Sequence, residues 1–541
     1  MKKTAITVLL MAMAAAAYGQ TAYDALTFSE NNYEGSARTV AMGNAFTALG
    51  GDIGAVNINP AGSAVAGYSQ FAITPALTFS TMTSHGVLPP KSDDGNLPYF
   101  QKQMKSGITK FSIPNFGVTF NWDTGRKSGL KKMTFGFIVS KTAGWDEDVY
   151  AAGENNTTSF MGQMAAEATD MGYTGSQLNA ADAYDFMPWK AVAGYQSGMI
   201  STYGGYDDQF VGASELIFSN PESGYDEIAL GGTLNQTYGR RVSGAKYDYI
   251  FNVGANVSDF LYLGANLGLN ALEYGYSEYF KEKAADPSDF GIVFDDGSTV
   301  YFDQMRYNYG YTANGSGFFA KLGFIVTPVT GLRIGGAIQT PTITTIDETW
   351  DMSASTTFSD SNFNGSSSSP YGENRYTLRS PMRANLGLAY TFGTLGVLSA
   401  DYEMCDYSGM RFKGSSYDRE YFEEVNAEIR QIFGTAHSFR AGIEVKPLSC
   451  LALRAGYNLS TNAGKTGLAA NTQNLSFGFG YSSKGSFFTD VAVRGTFLPD
   501  EYFMPYADYI YDDNGNISAP TPEIRIHQSL WKVLWTFGWR F

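Results

Sequence analysis

Residues 529–541, at the end of the chain, form a segment with two opposite faces. Side chains along a β-strand point alternately to its two sides. One face is apolar and mostly aromatic: Trp531, Val533, Trp535, Phe537, Trp539 and Phe541. The other face carries Lys532, Thr536, Gly538 and Arg540, with Leu530 and Leu534 as exceptions. A soluble β-sandwich could use such a strand, but outward aromatic residues and a terminal Phe are typical of the closing strand of an outer-membrane β-barrel.

The same alternation recurs along the chain in pairs of segments joined by short turns. It predicts fourteen strands, near residues 68–80, 109–122, 130–143, 243–257, 260–278, 311–327, 331–350, 375–392, 396–412, 435–446, 450–460, 471–483, 487–499 and 529–541. The expected fold is therefore an all-β, transmembrane, antiparallel barrel that occupies residues 68–541. Even strand numbers, short periplasmic turns and long outer loops are the rule for such barrels.

The predicted long connections all fall on one side of the barrel. They are residues 81–108, 144–242, 279–310, 351–374, 413–434, 461–470 and 500–528. Residues 228–238 also resemble a strand, but including them would make the strand number odd, so they are assigned to the longest loop, 144–242. With fourteen strands, both termini are predicted to lie in the periplasm.

Composition favours the same interpretation. Aromatic residues make up 15% of the chain, and the 61 glycines suit tight curvature and close approach of a lumenal plug. Acidic residues outnumber basic ones, 52 to 37, which argues against nucleic-acid binding. Charged residues on the predicted inward faces would either pair with one another and with the plug or contact substrate: Arg333, Arg383, Arg440, Arg454, Arg494, Arg540, Asp401, Glu403, Glu444 and Asp490.

The first nineteen residues have the organisation of a secretory signal peptide. Lys2 and Lys3 precede an apolar run over residues 5–17, and small residues flank Tyr18 before a cleavage expected after Gly19. The run is shorter than the ~20 residues that a transmembrane helix needs. Residues 1–19 are therefore predicted to direct export and to be removed.

Cys405 and Cys450 are the two cysteines of the chain. The predicted strands place Cys405 in the middle of a strand and Cys450 at the opposite end of a non-adjacent strand, farther apart than the ~7 Å between Cα atoms that a disulfide allows. We therefore expect two free thiols.

Residues 20–67 lie between the signal peptide and the first predicted strand, and they do not alternate. Their central part, residues 35–62, is rich in Gly and Ala, which pack closely in a confined space. A fourteen-stranded barrel is wide enough to need filling. The segment is therefore predicted to be a hatch inside the lumen.

This segment resembles the N-terminal hatch of the FadL/TodX family of outer-membrane transporters. The family shows Ala-Arg, then Met-Gly-x-Ala-Phe-x-Ala, then Asp, then Asn-Pro-Ala-Gly. The chain has these elements in the same order, at residues 37–38, 42–48, 52 and 59–62. Weaker similarity continues through residues 331–341, 380–392 and 437–457.

The resemblance implies a hatch-plugged barrel of fourteen strands that takes up hydrophobic compounds passively, such as long-chain fatty acids or aromatic hydrocarbons. It also implies capture by outer loops and lateral release past the hatch through a gap in the wall. The partners would be a hydrophobic small molecule and the lipid and lipopolysaccharide of a Gram-negative outer membrane. Related hatch-bearing barrels secrete or attach proteins, so a surface scaffold with a protein partner is the alternative function.

Loop 144–242 contains the candidate substrate-binding residues Phe160, Met164, Met187 and Trp189. Methionine and aromatic side chains together make adaptable apolar pockets. These residues are predicted to form an outer capture groove, or alternatively a small core beneath a long loop.

The hatch contributes the candidate gate residues Phe46, Asn59, Pro60 and Ala61. Proline fixes φ and Asn can hold a tight bend. The Asn-Pro-Ala sequence is predicted either to gate a lateral exit or to anchor the hatch.

The sequence contains no catalytic motif. His85, His437 and His527 are scattered without metal-ligand spacing, and there is no nucleophile elbow or phosphate-binding loop. We therefore expect neither an enzyme nor a metal or other cofactor.

Overall fold

The computed structural model describes residues 20–87, 100, 102–219, 226–294, 297–415, 418–465, 471–483, 485–512 and 514–541. The predicted signal peptide lies outside the described residues. All strand, helix and contact statements below refer to these ranges.

Fourteen strands close into one antiparallel barrel. They are β1 (Gln70–Gly86), β2 (Met104–Asp123), β3 (Leu130–Asn155), β4 (Leu234–Val257), β5 (Leu261–Ala284), β6 (Thr299–Val329), β7 (Leu332–Gln339 and Ile343–Phe358), β8 (Gly372–Arg379 and Arg383–Thr391), β9 (Gly396–Asp406 and Arg411–Lys413), β10 (Thr435–Leu448), β11 (Leu451–Ser460), β12 (Thr472–Ser482), β13 (Phe487–Phe497 and Glu501–Phe503) and β14 (Ile524–Arg540). Each strand pairs with the next, and β14 pairs with β1. The predicted strand number and the predicted closing strand are confirmed.

The closing strand shows why this wall faces lipid. Trp531, Trp535 and Trp539 point outward and are 41–51% exposed, whereas Lys532 and Thr536 between them are buried in the lumen. An outward cation at mid-membrane would cost ~2–4 kcal/mol, so the charged side chains belong inside. The outward faces of the other strands repeat this apolar belt, for example with Leu263 and Leu267 of β5.

Several strands are longer than the alternation predicted. β3 continues to Asn155 and β4 begins at Leu234, so the longest loop covers residues 156–233 rather than 144–242. Residues 228–238 were wrongly assigned wholly to that loop, because Leu234–Tyr238 belong to β4 and Asp226–Leu230 form a hairpin with Glu215–Ser219. Above the membrane, outward positions such as Glu273 are polar, and apolar alternation fades although the backbone ladder continues.

Three adjacent strands are interrupted, contrary to the continuous strands predicted from residues 331–350, 375–392 and 396–412. The breaks cover residues 340–342 of β7, 380–382 of β8 and 407–410 of β9. Pro341 and Pro381 lie in the first two breaks, and proline has no N–H to donate to a ladder. The pairing resumes on both sides, with Gln339 opposite Arg383 and Ile343 opposite Arg379.

The helices belong to the hatch and to the outer loops. The hatch contains α1 (Ala22–Ser29), α2 (Ala37–Ala41), a 3₁₀ turn (Ile53–Ala55) and α3 (Gly62–Val65). The loop between β3 and β4 contains α4 (Phe160–Asp170), α5 (Gly175–Leu178), α6 (Ala183–Phe186) and α7 (Trp189–Gln196), and the loop between β9 and β10 contains α8 (Arg419–Ile432). None of the described helices is long and apolar enough to cross a membrane.

The two cysteines are both free, as predicted. Cys405 is buried near the end of the first part of β9, and Cys450 lies in the turn between β10 and β11.

Candidate functional site

The hatch packs so closely against the barrel that many inward positions of the wall have no room for a side chain. A Cβ on Gly456 of β11 would lie 2.0 Å from the backbone nitrogen of Gly43, and one on Gly264 of β5 would lie 2.2 Å from the carbonyl carbon of Pro60. The other glycines in comparable contact with the hatch are Gly117, Gly254, Gly323, Gly335, Gly387, Gly442 and Gly478. The predicted use of glycine for a close-fitting plug is therefore seen in the structure.

Charged groups of the wall fasten the hatch. The guanidinium of Arg38 binds both carboxylate oxygens of Glu444, at 2.9 and 3.2 Å. Arg454 donates to the same carboxylate at 2.7 Å and also binds Asp490. Buried charges are stable only when paired, and removing one partner of such a network costs ~3–5 kcal/mol. These contacts favour the structural role of the inward charges over substrate contact.

The Asn-Pro-Ala sequence lies against β5 and β6. Asn59 is fully buried and its amide nitrogen donates to the carbonyl oxygens of Thr47, at 2.6 Å, and Phe324, at 3.0 Å. Its side-chain oxygen accepts from the backbone N–H of Ala61 at 3.0 Å, and the Pro60 carbonyl accepts from Asn252. These bonds favour the anchor role of residues 59–61.

Phe46 is also fully buried in the hatch. Its ring packs in a cluster with Met42, Leu49 and Ile58, and the guanidinium of Arg38 lies 5.5 Å from the ring centroid. A gating role for Phe46 stays a prediction, as it does for residues 59–61.

The barrel wall has a gap between β2 and β3. The two strands are paired only from Asp123 and Lys132 to Asn115 and Ser140. Beyond that point, β2 is paired with β1 alone and β3 with β4 alone, so residues 104–114 and 141–155 face each other without a ladder. Pro114 marks the place where the ladder ends. We call this region the wall gap.

The wall gap reaches into the membrane belt. Phe111 and Ile113, on the unpaired part of β2, are 63% and 41% exposed on the outer surface. Lys110 forms an ion pair with Asp146 across the gap, at 2.7 Å, and the hydroxyl of Ser106 donates to the carbonyl of Asp148. Side chains, rather than backbone hydrogen bonds, therefore hold the two strands together here.

Where β3 is no longer hydrogen-bonded to β2, backbone N–H groups of the hatch donate to it instead. The N–H of Asn32 donates to the carbonyl of Thr142 at 2.6 Å, and the N–H of Glu34 donates to that of Lys141 at 3.1 Å. The Glu34 carboxylate binds Lys532 of β14 and lies 3.5 Å from Arg494 of β13. Residues 32–34 thus cover the lumenal side of the wall gap.

A line of aromatic side chains runs from the long outer loop to the wall gap. Its members are Trp189 of α7, Trp350 of β7, Tyr311 of β6, Tyr274 of β5 and Trp145 of β3, and we call them the aromatic track. Ring centroids are 6.0 Å apart for Trp189 and Trp350, 6.1 Å for Tyr311 and Tyr274, and 5.2 Å for Tyr274 and Trp145. Tyr311 lies opposite Trp350 in the β6–β7 ladder.

The track is not fully enclosed by the core clusters on which it packs. Trp145, Tyr274, Trp189 and Trp350 are only partly buried, although they lie inside the barrel or beneath its loops. Trp145 belongs to the part of β3 that borders the wall gap. The track therefore extends from the outer loop to the edge of the wall gap.

Helix α1 packs against the aromatic track. Phe28 makes edge contacts with Trp145, at 6.4 Å, and Tyr274, at 5.4 Å between ring centroids. The hydroxyl of Tyr421 in α8 donates to the carbonyl of Gln20 at the start of the hatch. Burial raises the pKa of Tyr421 to about 12, so the phenol stays neutral and keeps this donor. Helices α1 and α8 are thus held together beside the track.

The four predicted capture residues fall into two groups. Phe160 and Met164 are buried in α4, and the ring of Phe160 packs 5.3 Å from both Phe280 and Tyr307. Met187 and Trp189 are partly buried at the edge of the same apolar cluster. The structure therefore places the first pair in a core and the second pair at the partly exposed edge of that core. A capture role for the four residues stays a prediction.

The sequence reasoning missed most of the aromatic track. Tyr274 and Tyr276 alternate within β5, and Tyr307, Tyr309 and Tyr311 alternate within β6. This alternation of inward tyrosines is visible in the sequence and could have indicated the track. Residues 307 and 309, however, fall in the predicted loop 279–310. No group of three metal-ligating side chains occurs within the described parts of the chain.

No protein-family model and no curated protein matches the chain. Solved structures of outer-membrane barrels are similar to it over almost their whole length. A FadL homologue from Pseudomonas aeruginosa is 12% identical, with a TM-score of 0.49, and the match covers 94% of this chain and 99% of that one.

Two toluene transporters are similar to the chain to the same degree. TodX from P. putida is 13% identical with a TM-score of 0.48, and TbuX from Ralstonia pickettii is 14% identical with a TM-score of 0.44. Each match covers 95% of this chain and 99% of the other. At such low identity, the function of this chain has to be inferred from its own residues.

Proposed function

We propose that the protein is an outer-membrane transporter of the FadL/TodX type for the passive uptake of hydrophobic compounds. The observation that carries this proposal is the aromatic track, which joins the outer loop to the wall gap through the lumen. Substrate is captured near Met187 and Trp189, moves along the track, and leaves sideways between β2 and β3. Both termini lie in the periplasm in this arrangement.

The physical reason for a lateral exit is the solubility of the cargo. A hydrophobic solute crosses the polar lipopolysaccharide layer poorly, but it dissolves readily in the hydrocarbon core of the membrane. Transfer from water to an apolar surface gains ~25 cal/mol for each Å² buried. Release through the wall gap, flanked outside by Phe111 and Ile113, spares the solute a return to water.

The hatch supports the same proposal. Residues 32–34 cover the gap from inside by a few backbone hydrogen bonds and the Glu34 ion pairs, whereas residues 37–62 are fixed by glycine contacts and buried bonds. Movement of this short segment is enough to open the route. The bulk of the hatch then stays in place and keeps the barrel closed to hydrophilic solutes.

Uptake assays on track variants test the proposal. Cells that lack the native protein would carry Trp350→Ala or Tyr274→Ala, and uptake of radiolabelled propylbenzene would be measured. Loss of a ring contact should lower the initial rate about fivefold, with unchanged heat-modifiable mobility on gels. Trp535→Ala, a matched loss of an aromatic ring on the lipid-facing surface, serves as the control. Unchanged uptake in both track variants would refute the proposal.

The alternative function, a surface scaffold for protein secretion or attachment, predicts a different result. Gently extracted protein would then carry a stoichiometric protein partner, and deletion would leave hydrophobic uptake unchanged. Mass spectrometry of the extracted protein distinguishes the two, because a transporter would carry a bound hydrophobic molecule instead.

A further inference from the structure

Carboxylates border the aromatic track. Glu348 of β7 accepts a hydrogen bond from the hydroxyl of Tyr311 at 2.8 Å and another from the amide of Gln20. Glu278 of β5 lies two residues beyond Tyr276, which is paired with Tyr311 of the track in the β5–β6 ladder. Two carboxyl groups therefore lie beside the track.

Glu278 has an oxygen that its neighbours leave available. The hydroxyls of Tyr276, at 2.6 Å, and Tyr238, at 3.0 Å, both donate to Oε2. None of the described side chains is bonded to Oε1, and Glu278 is only partly buried. A carboxylate oxygen in such a place can accept a hydrogen bond from a bound molecule.

The cations beside the track are already engaged. Arg240 binds the carboxylate of Glu501 through two nitrogens, each at 2.7 Å, and that of Glu147 at 3.3 Å. Lys246 donates to the backbone carbonyls of Phe28 and Glu30. Both cations therefore already have carboxylate or carbonyl partners.

We propose that the transported molecules are aromatic compounds that carry a hydrogen-bond donor, such as phenols and benzylamines, and that Glu278 binds the donor. This inference rests on the proposed function and narrows its substrate class. A fatty-acid anion would lose its hydration and meet Glu278 as a like charge, which is unfavourable in a poorly solvated space. A phenol or an ammonium group donates to a carboxylate, and charge-assisted bonds of this kind are strong. The rings of the track would hold the aromatic part, and they also attract cations.

Four ligands with one hydrocarbon frame test this inference: propylbenzene, 4-propylphenol, 4-propylbenzylamine and 4-propylbenzoate. Binding to the purified full-length protein in detergent would be measured by calorimetry at pH 7. We expect the phenol and the amine to bind at least about tenfold more tightly than the benzoate, since tenfold corresponds to only ~1.4 kcal/mol.

Glu278→Gln and Glu273→Gln give the matched pair of variants. Glu273 lies on the same strand but is exposed on its outer face. Glu278→Gln should weaken amine binding about tenfold and leave propylbenzene binding unchanged, whereas Glu273→Gln should change neither. Benzoate binding as tight as amine binding in the native protein, or an unchanged order of ligands in Glu278→Gln, would overturn the inference while leaving the transport proposal intact. Failure of all four ligands to bind would overturn both.

Discussion

Glu34 of the hatch and Lys532 of the closing strand form a buried ion pair, with both side chains about 5% exposed. The pair joins the segment that covers the wall gap to the far side of the β14–β1 closure. Arg494 and Lys141 add positive charge around the same carboxylate and lower the free energy of its ionised form. Displacement of residues 32–34 must break this contact.

Glu34→Gln should loosen the cover of the wall gap. The substitution leaves Lys532 and Arg494 buried without a counter-charge, which costs ~3–5 kcal/mol. A lower thermal unfolding temperature and faster amide exchange at residues 32–34 are expected. The double variant Glu34→Gln with Lys532→Met should recover part of the stability, because the second substitution removes a buried cation that has lost its counter-charge. A single variant as stable as the native protein would show that the ion pair does not hold the hatch.

Gly456→Ala should disturb the hatch from the wall side. The added methyl would meet the backbone of Gly43, which cannot rotate away as a flexible side chain could. Overpacking of this kind costs ~1–3 kcal/mol or more. Gly275→Ala is the control, because its nearest neighbour is a side-chain oxygen at 3.3 Å on another part of the barrel. Comparison of thermal unfolding in detergent checks the prediction, and equal effects of the two substitutions would contradict it.

Asn59→Ala distinguishes the anchor from the gate. Three hydrogen bonds of a buried side chain are lost, and each group left unsatisfied costs ~1–3 kcal/mol. An anchor predicts lower stability, with uptake that falls only as much as the amount of folded protein. Raised uptake or antibiotic sensitivity at unchanged stability would instead support a gate. Asn314→Ala, on the exposed face of β6, controls for loss of an amide.

The outer loop should be held more firmly at pH 5 than at pH 8. Burial raises the pKa of Glu215 to about 7, and the carboxylate accepts from the N–H of Gly212 at 2.8 Å. Glu282 of β5 and the hydroxyl of Tyr509 also face this group, and Glu282 adds like charge.

The sign of the pH effect follows from the raised pKa. Between pH 4.5 and 7 the folded loop keeps the proton that the unfolded loop releases, so stability falls as pH rises, by up to about 3 kcal/mol. Limited proteolysis of loop 156–233 should therefore be faster at pH 8. Glu215→Gln should flatten this dependence, and a native loop equally resistant at both pH values would contradict the prediction.

The capture hypothesis predicts two different outcomes for its four residues. Polar replacement of Met187 and Trp189, for example by Gln, should lower uptake and leave the barrel heat-resistant. Replacement of Phe160 or Met164 should instead destabilise the loop by ~2–5 kcal/mol, because both fill a packed core. Uptake rates together with proteolysis of the loop separate the two effects. Native uptake in the Met187 and Trp189 variants would remove them from the substrate path.

The sequence was most informative where lipid constrains it. Trp531, Trp535 and Trp539 alternate with lumenal residues because the membrane allows no other arrangement, so every strand crossing the belt could be recognised. Above the belt, no lipid requires one face of a strand to be apolar. The sequence therefore did not reveal where β3 ends and β4 begins.

The hatch could be predicted from the sequence, whereas most of the track could not. Residues 42–62 form a local motif that can be read from consecutive residues. Trp145, Trp189 and Trp350 are separated by long stretches of chain, and only the order of the strands and the fold of loop 156–233 bring them together. Part of the candidate site was therefore beyond prediction from sequence alone.

The aligned interruptions of β7, β8 and β9 divide this side of the wall into two tiers. The lower tier carries the lipid-facing Ile334 and Ile338, whereas the upper tier carries Trp350 of the aromatic track and Glu348 beside it. Because the ladder stops and restarts between them, insertions or repacking in the upper tier need not shift the register of the lower one. Natural variation can thus remodel the lumenal surface of the upper tier without altering how the barrel lies in the bilayer.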